Sequence, residues 1–181
     1  MNKFVLTFAS TAAVALGSFA AADDLANAKF LANAFVGNCA QNAGRNDRVS
    51  AFADFMEYEE LEGDLKTMLS PQDPSVEYDG WIVREDDAPL YLLGISEYQN
   101  AGVTLQTCSI ANPSVSMDFV TAEIERLMIF DRQIDSFDLA GQRNRVWSTT
   151  SLAEGSFVTI MDAPDMGEIG GTVSLSARKE N

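Results

Sequence analysis

Histidine is missing from this 181-residue chain. Its absence removes the commonest general base and the Ser-His and Cys-His nucleophile pairs. Cysteine is nearly missing too, with only Cys39 and Cys108. Their separation excludes a C-x-x-C redox pair. With no histidine and no third thiol, they cannot complete a zinc site of the usual N/S kind. Positive charge is scarce: 12 lysines and arginines stand against 27 aspartates and glutamates, a net charge of −15. Such a surface repels nucleic acid and anionic membranes. It suits solubility, or a cationic partner. No glycine-rich phosphate loop is present, since "GEIGG" lacks both the P-loop lysine and the G-x-G-x-x-G frame. We find no internal repeat and no low-complexity stretch.

What is there begins at the N-terminus. Lys3 precedes an apolar run, Phe4 to Leu16, and "SFAAADD" places Ala20 and Ala22 in an A-x-A arrangement before Asp23. This pattern reads as a secretory signal peptide cleaved after Ala22. The run is shorter than the roughly 20 residues a spanning helix needs. No cysteine follows it to take a lipid. The expected organisation is therefore a signal peptide over 1–22 and a single globular domain over 23–181, periplasmic or secreted and not inserted in a membrane. Loss of Lys3 would make the remainder one unit more acidic.

Export decides the reading of the cysteines. In an oxidising compartment a lone pair is expected to close a disulfide, Cys39 to Cys108. Such a loop could stabilise by about 4 kcal/mol in the chain-entropy model. Cys39 closes the apolar stripe of a helix. Cys108 shares strand parity with Thr104, Gln106 and Ile110 rather than with Val103 and Leu105. Either a bulge shifts the register near Thr107, or both faces of the sheet are partly covered.

The periodicity supplies the fold class. From a capping Asp24, Leu25, Ala28, Ala32, Phe35, Val36 and Cys39 form one helical stripe. After a break at 42–46, Asp47 can cap a second helix with Val49, Phe52, Ala53 and Met56 facing inward. Leu61, Leu65, Met68 and Leu69 allow a third short helix. The loop "SPQDPSVEYDG" (70–80) follows. Then "GWIVRE", "PLYLLGISEYQ" and "GVTLQTCSIAN" read as strands, with a turn at "QNAG". Ser116 or Asp118 can cap a helix with Val120, Ile124, Leu127 and Met128 on one face. A looser stretch runs to Asn144. "RVWSTT", "GSFVTIM" and "GTVSLSARK" read as three more strands. The expectation is α+β: N-terminal helices and one later helix packed on an antiparallel sheet of about five to six strands, with one disulfide.

No motif fixes the chemistry. Residues 54–87 hold twelve acidic residues and two basic ones, Lys66 and Arg84. Charge runs of this kind are usually solvated faces. Glu97 sits in an apolar strand beside Tyr98, where burial would raise its pKa toward general-acid use; no second acid is selected as its partner. "DAPDMGEIGG" (162–171) offers Asp162, Asp165 and Glu168, but D-x-x-D-x-x-E is not the calcium-loop spacing. Arg132, Arg143 and Arg145 stand among aspartates and can bind an anion or form local ion pairs. Met56, Met128 and Met161 read as packing rather than copper ligands. Trp81, Tyr91, Tyr98 and Trp147 would make a sugar or peptide platform if exposed together, but strand aromatics are mostly core.

The weak binding candidates are thus Glu97, Tyr98, Trp81 and Trp147. No catalytic, cofactor or metal residue is assigned. The functional expectation is an exported binding or interaction module of the cell envelope with no evident catalytic site. Its partner would be an envelope protein or glycan, with a cationic one the natural complement. The alternatives are a carboxylate-based hydrolase of envelope polymers and an acidic inhibitor of a cationic enzyme.

Overall fold

The computed structural model describes residues 12–63, 66, 76–85, 88–100, 102–127, 130–139, 141–164 and 170–180. Helix α1 spans Ala12–Asn38 and is followed by a 3-10 turn, Ala40–Asn42. Helix α2 spans Asn46–Phe55 and α3 Met117–Leu127. The strands are β1 (Glu59–Glu60), β2 (Glu77–Val83), β3 (Tyr91–Asn100), β4 (Val103–Asn112), β5 (Arg132–Leu139), β6 (Gln142–Ser148), β7 (Phe157–Asp162) and β8 (Gly171–Arg178). They form one sheet in the order β1-β2-β3-β4-β8-β7-β6-β5, every pair antiparallel.

The α+β class and the disulfide are as expected, but the sheet has eight strands, not five or six. The two additional strands, β1 and β5, are its two edges. Edge strands with exposed side chains on both faces carry no inside/outside alternation. "EE" and "RQIDSFDL" show none, and a register shift between Gln133 and Asp135 breaks the period further.

The order is palindromic. Two meanders, β1–β4 and β5–β8, meet through their last strands, although the sequence shows no repeat. The helices lie on one face of the sheet: α1 packs chiefly on α3, α2 on β3 and β4, and α3 on β7. Under them lie Trp81, Val83, Tyr91, Leu93, Ile110, Val158, Ile160, Val173 and Leu175, all buried. Trp147 stacks on Phe130 with ring centroids 5.3 Å apart.

Helix α1 does not begin at Asp24 but runs unbroken past it. Its core stripe is Ala28, Leu31, Ala32 and Phe35, a spacing of three and four, while Leu25 is exposed. Helix α2 begins at Asn46 after Arg45, without a side-chain cap, and Asp47 sits in its first turn. In α3, Val120 and Ile124 are buried, Leu127 is exposed and Glu123 is buried against Arg126. Leu65, Met68, Leu69, Met128, Asp165 and Glu168 lie outside the described residues. Leu61 does not extend a helix; it is buried beside Gly80, to whose carbonyl its amide donates.

The disulfide joins the end of α1 to the middle of β4, with a Cα separation of 5.3 Å. The parity question has a clear outcome. Strand β4 pairs without a register shift to β3 and β8, so no bulge turns Cys108. Cys108 faces the helices together with Ile110 and its cross-strand partners Ile95 and Leu175. Leu105 faces the other way and is buried too. Both faces are therefore partly covered. The face opposite the helices is built of small groups: Ser96, Thr107 and Ser176 are cross-strand neighbours, as are Gly94, Ser109, Ser174 and Thr159. The Thr107 and Ser176 hydroxyls hydrogen-bond at 2.7 Å. The Tyr78 ring reaches over Gly80 and Gly94 of this face. A Cβ on Gly94 would meet its hydroxyl at 2.7 Å, so glycine is what lets the ring approach.

Candidate functional site

The sequence candidates do not come together. Trp81 and Trp147 are buried in the core, so neither contributes to an exposed platform. Tyr98 is half-buried on the face away from the helices, opposite Leu105. Glu97 is on the helix side, where Gln106 donates to it at 2.7 Å and Lys179 at 2.9 Å. The Gln106 hydrogen bond, then Lys179, holds its carboxyl below the usual carboxylate range. This is opposite to the raised value expected from burial in an apolar strand, because the side chain has found a donor and a cation. Glu97 does border a cleft of about 210 Å³ with Asp47, Glu77 and Asp79. A carboxylate held ionised cannot serve there as a general acid.

The arginine-rich segment makes ion pairs. Arg143 grips Asp162 with two nitrogens and also reaches Asp118 at 2.9 Å. Arg145 bridges the same two aspartates at 3.0 and 3.1 Å. Asp162 is buried, and Asp118 stands in the first turn of α3. The network fastens α3 to β6 and β7 and pairs Arg143 and Arg145 with Asp118 and Asp162. Arg132 takes no part in it. Among the described residues, no cluster of acidic or thiol groups is arranged to hold a metal ion.

A cavity of about 640 Å³ lies between α1, α2 and the start of β3. Its walls follow from helix geometry. The core stripe of α1 is flanked by a second stripe, Phe30, Asn33, Ala34 and Gly37, again spaced by three and four, and this one faces the cavity. Across it, Arg48, Phe52 and Met56 recur every four residues along α2. Tyr58 and Tyr91 complete the wall.

Four rings line this space. Phe30 and Tyr91 lie 6.0 Å apart and Phe52 and Tyr58 6.1 Å apart, and the two phenols are close enough to influence each other's ionisation. Buried Asn38 fixes the Tyr91 end, its Nδ2 donating to the Tyr91 hydroxyl at 3.3 Å and to the Ala34 carbonyl at 2.9 Å. Burial pushes both phenols above their ordinary range, and the charge of Glu85 adds to it. A Cβ built on Gly37 meets nothing within 4 Å, so the wall is open there.

No family model, curated protein or solved structure matches this chain. The site's chemistry therefore has to be read from its own residues. Its size lies within the range of small-molecule sites, with an apolar lining and a few polar groups, the usual composition of such sites. Phe52 and Met56 correct the sequence reading: both are 44% exposed, lining the cavity rather than the core. Phe55, beside them, is 81% exposed. The legible signal was an excess. Residues 49–56, the end of α2 and its C-cap, carry five apolar side chains besides Ala51, and a ten-residue helix with one buried face needs fewer.

Proposed function

We propose that this protein is an exported, non-catalytic binding module of the cell envelope, and that it holds the apolar body of a ligand in the cavity between α1 and α2. The observation that carries this reading is the four-ring wall with exposed Phe52 and Met56 at its edge. Large apolar side chains left in water beside a concave site are a standing invitation to a ligand. Export is supported by the N-terminal pattern and by the buried disulfide. Among the described residues no helix is long and apolar enough to cross a membrane.

The test is a cavity-filling substitution. Gly37→Leu projects into open space and should leave the fold intact. Native mass spectrometry of protein taken from envelope extract should find a small ligand on the wild type and none on Gly37→Leu. Equal ligand loading of the two proteins would remove the cavity from the proposal. Export is checked separately: the exported chain should start at Asp23 and contain no free thiol.

A further inference from the structure

The polar groups on the cavity wall are not symmetric. Arg48 is its one basic residue and Glu85 its one acidic residue. Neither forms an ion pair among the described residues. For Arg48 this is notable in so acidic a chain. The neighbouring carboxylate, Asp47, is taken by Arg45 at 3.2 Å, and Arg45 also approaches Glu180. Arg84, the neighbour of Glu85, is likewise taken, by Glu59 at 2.8 Å. The two wall charges are thus left over after local pairing is complete.

They also stand at opposite ends. Arg48 is in the first turn of α2, whereas Glu85 lies beside the phenols of Tyr58 and Tyr91, past the helix's far end. Helix α2 rises about 10 Å from Arg48 to its end at Phe55; beyond it the chain turns at Glu57, and the Tyr58 amide returns to the Ala53 carbonyl. Between these ends run Phe52 and Met56. A ligand lying along α2 therefore meets a guanidinium, then apolar and aromatic surface, then a carboxylate.

We propose that the cavity selects a small organic monoanion: a carboxylate at one end, held by Arg48, with an apolar body lying along Phe52 and Met56 toward the aromatic end. This rests on the cavity being a binding site. Glu85 supplies direction, because a ligand entering with its carboxylate toward the phenols, or carrying a second carboxylate there, meets like charge. Guanidinium pairs well with a planar carboxylate through two parallel hydrogen bonds. The apolar body can be aliphatic or aromatic, and both are tested.

Titration calorimetry on the disulfide-intact protein decides it, with decanoate, phenylpropanoate, decylammonium and decanedioate as probes. Decanoate should bind about tenfold more tightly than decylammonium, the factor expected of one charge-assisted hydrogen-bonded pair. Arg48→Gln should erase that preference, and Arg48→Glu should invert it. Decanedioate should bind more weakly than decanoate, and Glu85→Gln should restore it. If phenylpropanoate exceeds decanoate, the body is aromatic; if it binds less, aliphatic. A preference for decylammonium, or decanoate binding unchanged in Arg48→Gln, would overturn the monoanion proposal while leaving the cavity a binding site. If Gly37→Leu has no effect on the binding of any probe, the cavity reading fails as well.

Discussion

The two meanders of the sheet solve the same problem by different means. Strands β1–β4 are covered by α1 and α2 through apolar contacts and the Cys39–Cys108 bond. Strands β5–β8 are covered by α3, whose first turn is tied down by Arg143, Arg145 and two aspartates. The first half has a surplus of apolar side chains, and the surplus lines a cavity. The second half ends in an edge strand whose described side chains are exposed, Ile134 and Phe137 among them. A covalent tie tolerates a void beside it, since it holds whatever the packing. An ion-pair network depends instead on close, partly desolvated geometry.

That contrast can be broken at four points. The largest effect should come from Cys39→Ala with Cys108→Ala, which loses about 4 kcal/mol of stability by the chain-entropy model. Denaturant unfolding with and without reductant measures it. A loss below about 1 kcal/mol would mean that apolar contacts alone hold the first half.

Next is the electrostatic tie. Asp162→Asn removes the buried partner of Arg143 and Arg145, leaving them only the exposed Asp118, and should cost about 3 kcal/mol. Asp118→Asn removes the exposed partner and should cost less than about 1 kcal/mol. Equal costs would mean that the network is a surface feature rather than a fastening.

Alkaline titration separates the halves directly, because all four tyrosines lie between residues 58 and 98. Burial pushes Tyr78 up to about 12 and raises Tyr58 and Tyr91 too. The unfolded chain releases these protons near pH 10, so the folded state holds them longer. The stability they contribute is fully present below pH 10 and is lost as pH rises through the folded values. Phenolate absorbance should thus lag behind free tyrosine and then rise together with loss of the first half. Titration at the free value, with the fold intact, would refute the burial.

The smallest effect has the opposite sign. Gly37→Ala should stabilise by about 0.5 kcal/mol, since the site is helical and the added methyl meets nothing. A thermal midpoint that falls instead would show that the cavity is smaller than described.

The interior of the sheet was legible in the sequence and its margins were not. Six strands with one or both faces buried announced themselves through β-branched and aromatic residues. Val173, Leu175 and Ala177 in β8 did so by strict alternation. Strands β1 and β5 did not, because burial is what writes the period. The cysteine pairing was legible from compartment and count; the parity of Cys108 left a bulge and a partly covered second face as alternatives, and the unshifted register of β4 selects the second. The cavity was not legible. Phe52 and Met56 match a core stripe in every respect except that each is left about half exposed at the cavity, and periodicity cannot distinguish a side chain facing the core from one facing a void. Glu97 was misread for a related reason. Its donor Lys179 arrives from 82 positions away.

The palindromic strand order also has a consequence in time. Strand β4 sits at the centre of the finished sheet, but its second neighbour is β8, the last strand in chain order. A chain emerging from N to C can fold β1–β4 and bring Cys39 to Cys108 long before residues 171–178 exist to cover that flank. Throughout that interval an unpaired strand edge, rich in threonine, isoleucine and valine, stands open to any other chain. Its protection depends on how soon the second meander arrives, which makes the pace of emergence, as much as the stability of the product, the quantity on which a clean yield of this fold depends.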